Sequence, residues 1–171
     1  HIRGQVIVPK SELLPGMVQW TWEQKNPEKV SCSFGCGYLF LDVCGFTRLT
    51  ETASAKGHYG VEVITNLLNQ YFDLLNNKIM HAGGQILKFE GDAVLAAFPN
   101  EESTCLSTIK KCVIEIRQAL KELNKRLENT YGSDLSFHSS MGYGISNMII
   151  LGKDKQHWDY FIYSPVLASL Y

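Results

Sequence analysis

Gly37-Tyr38-Leu39-Phe40-Leu41-Asp42-Val43 is a nearly continuous apolar run, rich in residues that favour strands, and Cys44-Gly45-Phe46-Thr47 follows it as a turn. So short a run bounded by glycines predicts a strand buried on both faces. Thr47 or Thr50 is placed to cap a helix that follows it. One residue breaks the apolar pattern. Asp42 puts a charge at the end of a buried strand, where it is costly unless it is paired, caps a helix or holds a metal.

Downstream, His58 to His81 carries a helical stripe of Val61, Ile64, Leu67, Leu68, Tyr71, Phe72, Leu75 and Ile79, and Gly83-Gly84 ends it. Gln85–Phe89 and Ala93–Phe98 are two short apolar runs joined by Glu90-Gly91-Asp92, the spacing of a tight β-hairpin. A long amphipathic helix is predicted from Glu102 to Glu128, buried through Ile109, Cys112, Val113, Ile116, Leu120, Leu123 and Leu127. Leu135 to Ser146 reads as a strand, Met148–Leu151 as another, and Asp159–Tyr163 as the last. Ser164-Pro165 then opens a helix, proline being well suited to a first helical position. Strands and helices in this order predict an α+β architecture, with helices packed on a mostly antiparallel sheet.

Upstream, residues 1–34 show weak periodicity and two turn signals, Pro15-Gly16 and Asn26-Pro27. They read as a lead-in of irregular structure with a short strand or two, in which Trp20 and Trp22 cover an edge of the core. One domain is expected over residues 35–171. The 171 residues suffice to bury a core without staples, and 45% hydrophobic with 19% charged residues is the balance of a globular domain. A chain that opens with His1 is expected to have been cut at its start.

Sixteen basic against seventeen acidic residues leave a net charge of −1. Nothing in that balance asks for nucleic acid or an anionic membrane surface. No apolar run is long enough to span a bilayer. The five cysteines, Cys32, Cys36, Cys44, Cys105 and Cys112, have no second Cys or His pair at zinc spacing. They read as reduced thiols of a cytoplasmic protein. His58, His81, His138 and His157 lie in separate segments and read as structural.

Two carboxylates stand out as candidates for chemistry. Asp42 ends the buried strand and Asp92 sits in the hairpin turn beside Gly91. If the two strands are neighbours, both carboxylates face one site, and a hard divalent cation takes such ligands together with water and phosphate. The strand-to-helix turn after Asp42 offers free N–H groups to a phosphate. From spacing alone, Asp42 fits a helix cap equally well and Asp92 fits a turn residue.

Phe40-Leu41-Asp42-Val43-Cys44-Gly45-Phe46-Thr47 resembles the F-x-D-I-x-G-F-T signature of class III nucleotidyl cyclases. Ile86-Leu87-Lys88-Phe89-Glu90-Gly91-Asp92-Ala93-Val94-Leu95-Ala96 resembles their second signature, K-F-x-G-D-A-x-L-A. The two aspartates lie about fifty residues apart with a helix between them, as in the family. The second run looks most like the first catalytic domain of soluble, bicarbonate-responsive adenylyl cyclases.

The resemblance implies a ferredoxin-like palm that works in head-to-tail pairs and converts ATP to cyclic AMP and pyrophosphate. It implies two Mg²⁺ or Mn²⁺ ions on Asp42 and Asp92, with the Val43 carbonyl as a further ligand. It gives the N–H groups of Gly45, Phe46 and Thr47 to the β- and γ-phosphates. Lys88 corresponds either to a purine contact or to the lysine of a second, degenerate site that takes bicarbonate or another small anion. The lysine's partner arginine there aligns with Tyr171.

The late family motif G-x-x-V-N-x-A-x-R aligns with Ser164-Pro165-Val166-Leu167-Ala168-Ser169-Leu170-Tyr171. Ser164 replaces the glycine, Ala168 replaces the asparagine, and the arginine falls one residue past Tyr171, so the domain reads as truncated at that end. The departures imply a metal-binding half whose site is completed by a second cyclase domain in the same or another chain. Two other readings remain: a catalytically inactive regulatory domain that dimerises with an active partner, and a guanylyl cyclase half. A cyclase making cyclic dinucleotides is disfavoured, since no G-G-D-E-F signature is present.

Overall fold

The computed structural model describes residues 5–7, 29–54, 58–131, 134–152 and 158–170. In chain order these form β1 (Gln5–Ile7), β2 (Lys29–Cys44), α1 (Phe46–Ser54), α2 (His58–His81), β3 (Gln85–Glu90) and β4 (Ala93–Pro99). Then come α3 (Glu102–Tyr131), β5 (Ser136–Gly152), β6 (Trp158–Tyr163) and a 3₁₀ turn over Pro165–Ser169. The strands make one sheet in the order β1-β6-β5-β2-β4-β3, with every pairing antiparallel. The expected α+β class is the one observed.

β2 is the spine of the sheet. It was expected over Gly37–Val43 and runs over Lys29–Cys44, paired with β5 from Lys29↔Leu151 to Cys44↔Ser136. β5 is correspondingly long. Where two strands were expected around Asn147, a single strand continues through it, because Ser33 and Asn147 are partners in the ladder and their side chains hydrogen-bond at 2.5 Å. The polar residue that looked like a break is on an exposed stretch of continuous strand. Trp20 and Trp22 lie outside the described residues.

Alternation along β2 divides the core in two. Leu39, Leu41 and Val43 face the helices, where they meet Leu67, Tyr71, Leu75 and Ile79 of α2 and Ile109, Cys112, Ile116, Leu120 and Leu123 of α3. Cys36 and Tyr38 face the other way and pack with Leu95, Met148, Ile162, Leu167 and Leu170. β4 is buried from Ala93 to Phe98, as a central strand covered on both faces should be.

The predicted helix boundaries hold for α2. At its end Gly83 N–H donates to Met80 (2.9 Å) and Gly84 N–H to Ile79 (2.9 Å), the paired bonds of a glycine C-cap. α3 starts as predicted at Glu102. The expected threonine caps are corrected: α1 already begins at Phe46, and Thr50 Oγ1 donates back to the carbonyls of Phe46 (3.1 Å) and Thr47 (2.7 Å). The terminal helix expected at Pro165 is a short 3₁₀ turn.

Candidate active site

The β2–β4 ladder ends at Leu41↔Val94, so the next residues of the two strands, Asp42 and the Asp92-Ala93 pair, lie together at one end of the sheet. Asp92 reaches this position through a two-residue turn. Glu90 pairs with Ala93, and Gly91 between them has a φ of 66°, a left-handed conformation that glycine adopts without a steric penalty. Asp42 points to the face away from the helices, two residues beyond Phe40, and is exposed. Neither carboxylate has a hydrogen bond or ion pair among the described residues. The helix-cap reading of Asp42 therefore has no support in the geometry.

Val43 pairs with Phe137 of β5 but has no partner on β4, so its backbone borders the same end. Gly45 then turns the chain with a φ of 99°. A Cβ there would lie 2.5 Å from the Asp134 carbonyl oxygen, which makes glycine obligatory. The first intrahelical bond of α1 is Leu49 N–H to Gly45 (3.1 Å). The N–H groups of Phe46 and Thr47 therefore precede Leu49, the first donor bonded within the helix, at the positive end of its dipole. Asp42, the turn that carries Asp92 and the start of α1 thus lie at the same end of the sheet.

Lys88 stands apart from them. It pairs with Leu95, which pairs with Phe40, so Lys88 shares the Asp42 face two strands away, about 10 Å at normal strand spacing. Its ammonium is half-buried and forms an ion pair with Glu90 on the same strand.

In the helix-side core lies a residue that the sequence reading assigns to the core or to a dimer face. Tyr71 of α2 is 0% exposed, and its hydroxyl has no hydrogen-bond partner among the described residues. Phe46 and Phe72 stand edge-on to its ring at 6.3 and 5.5 Å. Burial first, then the negative charges of Asp92 and Asp42, push the phenol's ionisation upward. In sequence it is one more aromatic on an apolar stripe, and only the hydroxyl distinguishes it from Phe72.

No protein-family model matches the chain. Adenylate cyclase type 10 from Rattus norvegicus is 28% identical over 164 residues, covering 92% of this chain and 10% of that protein. The adenylyl cyclase CyaB from P. aeruginosa shares the fold with a TM-score of 0.66 at 24% identity, over 82% of this chain and 71% of that one. The guanylyl cyclase Cya2 has a TM-score of 0.64 at 25% identity, over 82% of this chain and 69% of that one. The chain is similar to adenylate cyclases over most of its length and has the fold of class III cyclase domains. Its curated relatives are named adenylate cyclases, enzymes of the lyase class, and its sheet and three helices are those of the cyclase palm. It spans about a tenth of the length of the curated relatives it matches first, 10% in the rat protein.

The late segment of the chain is well packed. Ser164, where family members carry glycine, is 0% exposed and donates its hydroxyl to the Ile145 carbonyl at 3.1 Å. Leu167 and Leu170 are buried against the sheet, which leaves Ala168 exposed. No described helix is long and apolar enough to cross a membrane.

Proposed function

We propose that this domain, whose sheet includes β1 and all of β2 and so extends upstream of the expected boundary at residue 35, is the metal-binding half of an adenylyl cyclase, completed by a partner cyclase domain. The observation that carries the reading is the convergence of Asp42 and Asp92 at the end of the β2–β4 ladder, beside the free N-terminus of α1.

The donor set fits hard divalent cations. Two carboxylate side chains and a backbone carbonyl are all oxygen, and no cluster of three or more His, Cys, Asp or Glu occurs among the described residues. Mg²⁺ is held in this way, by one or two carboxylates with the remaining positions left to water and phosphate. Asp42, Asp92 and the Val43 carbonyl would hold two Mg²⁺ or Mn²⁺ ions. Such ions, when bound, would supply Lewis acidity at the ribose 3′-hydroxyl and neutralise charge on the triphosphate.

The protein's own part is positioning. The N–H groups of Gly45, Phe46 and Thr47 orient the β- and γ-phosphates of ATP, which leaves the α-phosphate toward the two carboxylates. The 3′-hydroxyl would give up its proton to solvent as its oxygen bonds to the α-phosphorus, and the bond from that phosphorus to the α,β-bridging oxygen would break, so that pyrophosphate leaves with that oxygen and cyclic AMP remains. Ala168 offers a methyl group where an asparagine would bind ribose, so the partner domain supplies that contact, and the chain alone turns over little ATP. The choice of ATP over GTP rests on the relatives' names.

Lys88 is held by Glu90, so a bicarbonate or other small anion at Lys88 competes with a carboxylate already in place. Ala168 also favours a second reading, a regulatory domain that pairs with an active cyclase.

One experiment separates the two. The full-length protein is supplied with ATP or GTP and Mg²⁺ or Mn²⁺, and products are identified by mass spectrometry for wild type, Asp42→Asn and Asp92→Asn. Loss of product in either folded variant supports the enzyme half, and persistence in both assigns the chain to regulation.

A further inference from the structure

α3 and β5 face each other across a cavity on the helix side of the sheet, with a volume of about 300 Å³. Leu39 of β2, 0% exposed, lies at its base. Val113 and Ile114 of α3 form one wall, and Ser139 and Met141 of β5 the other. The mouth is apolar too, since Ile114 is 56% and Met141 40% exposed. Single exposed apolar side chains are ordinary, but these two rim a cavity whose interior is already hydrocarbon. Water finds few hydrogen-bond partners in such a space, and hydrocarbon displaces it readily.

The charge around the cavity has one sign. Lys110 lines it and has no ion pair among the described residues. Along α3, Lys110, Ile114, Arg117 and Lys121 follow one another at steps of four, three and four, which sets them on one face of the helix. Arg117 shows where that face looks: its guanidinium carbon stands 5.0 Å from the centre of the Phe137 ring on β5. The nearby acidic residues of α3 are engaged elsewhere, Glu115 with Lys78 of α2 and Glu122 with Lys125. No described carboxylate lines the cavity. Ser139 adds a polar group. Strand alternation from Phe137 turns it toward the helices, and its hydroxyl has no hydrogen bond among the described residues. The next residue, Ser140, is engaged, its hydroxyl donating to the Leu170 carbonyl at 2.6 Å.

We propose that this cavity is a binding site for a small apolar monocarboxylate, of the chemical class of a medium-chain fatty acid. Its hydrocarbon tail lies on Leu39 and Val113, between Ile114 and Met141, and its carboxylate sits at the rim, where the Lys110 ammonium and the Ser139 hydroxyl donate to it. The volume is at the lower limit of ligand cavities, so the occupant is small. One ammonium matches one unit of charge, whereas a phosphate monoester carries nearly two. The site is separate from the proposed cation site, because Asp42 points to the opposite face of the sheet. The inference therefore does not depend on that reading.

The test is titration of the full 171-residue chain with octanoate, kept below its micelle concentration, followed through the methyl NMR signals of Ile114 and Met141. Octanol is the uncharged comparison, Lys110→Met and Ile114→Glu are the variants, and thermal unfolding without ligand checks their folding. Octanoate is expected to shift both methyl signals saturably. Lys110→Met keeps the hydrocarbon of the side chain without its charge. It should weaken octanoate about fivefold, the upper range for an exposed charge pair, and leave octanol unchanged. Ile114→Glu sets a like charge at the mouth and should abolish octanoate binding, with a melting temperature within about 2 °C of wild type, as for other surface substitutions. Octanol binding as tightly as octanoate, with no effect of Lys110→Met, would overturn the carboxylate head. Signals that move with protein concentration and not with octanoate would give the cavity to a second copy of the chain and overturn the proposal. So would octanoate shifts confined to Phe34, Phe40 and Val166, on the other face of the sheet.

Discussion

Leu41 of β2 stands opposite Val94 of β4, and this pair is the last rung of the ladder before both strands reach their carboxylates. Both side chains are 0% exposed and point at the helices. The alternation of a strand then forces Asp42, the next residue, onto the opposite face. A slip of one residue would bury Asp42 against α2 and expose Leu41, so the hydrophobic pattern itself sets the register. Leu41→Ala removes the anchor of that register. It should destabilise the fold by about 2–5 kcal/mol in urea unfolding, the range for emptying a buried leucine site. A loss under about 1 kcal/mol would mean that the rung is held by other residues.

Gly45 is the hinge between the strand and the helix. Its φ of 99° is one that L-residues rarely adopt, and an added Cβ would meet the Asp134 carbonyl. Gly45→Ala should cost at least about 1–3 kcal/mol from the backbone conformation alone. Its thermal midpoint should fall by several degrees. An unchanged midpoint would show that the Asp134 segment moves aside at no cost.

Much of this organisation is legible in the sequence because it is local. The 58–81 stripe, the double-glycine stop and the Glu90-Gly91-Asp92 turn are each set by neighbours in the chain, and each was found where expected. The length of β2 and β5 was not legible. Their outer halves stabilise each other by pairing between residues more than a hundred apart, as Ser33 does with Asn147, and their polar residues resemble a loop. The neighbourhood of Asp42 and Asp92 was inferred through the resemblance, because strand order is not encoded in either motif alone. Tyr71 was hidden for another reason: periodicity places an aromatic ring in a core but says nothing about what its hydroxyl meets.

The thiols should separate by reactivity. Burial pushes Cys36 up to about 12 and Cys112 up to about 11, whereas Cys44 is part-exposed beside the carboxylates. At pH 8 only about 10⁻⁴ of Cys36 and 10⁻³ of Cys112 would be the reactive thiolate. Among Cys36, Cys44, Cys105 and Cys112, Cys44 should react first with iodoacetamide in the folded chain, read by peptide mass spectrometry. Equal labelling of Cys36 would contradict its burial. Both raised values also lower stability at high pH. The unfolded thiols ionise near 9.0 while the folded ones hold their protons, so stability present below pH 9 is lost as pH rises toward 12. The slope should approach about 1.4 kcal/mol per pH unit for each thiol in that window.

Asn124 ties the end of α3 to the start of β5. Its Nδ2 donates to the Leu135 carbonyl at 2.6 Å and its Oδ1 accepts from the Leu135 N–H at 2.9 Å. Leu135 is 1% exposed, so these two backbone groups have little access to water. The next residue, Ser136, begins β5 opposite Cys44, and Asp134 on the other side is the residue packed against Gly45. The amide therefore holds in place the backbone that supports the strand-to-helix turn. Asn124→Ala leaves a donor and an acceptor unsatisfied, at about 1–3 kcal/mol each. The expected loss is about 2–4 kcal/mol in chemical unfolding, with a fall in melting temperature of about 2–4 °C per kcal/mol for a domain of this size. Asn124→Asp keeps the acceptor for the Leu135 N–H but sets a carboxylate oxygen against the Leu135 carbonyl, so it should rescue little. If both variants unfold within about 0.5 kcal/mol of wild type, the 134–136 backbone is held by its sheet pairing and not by the amide.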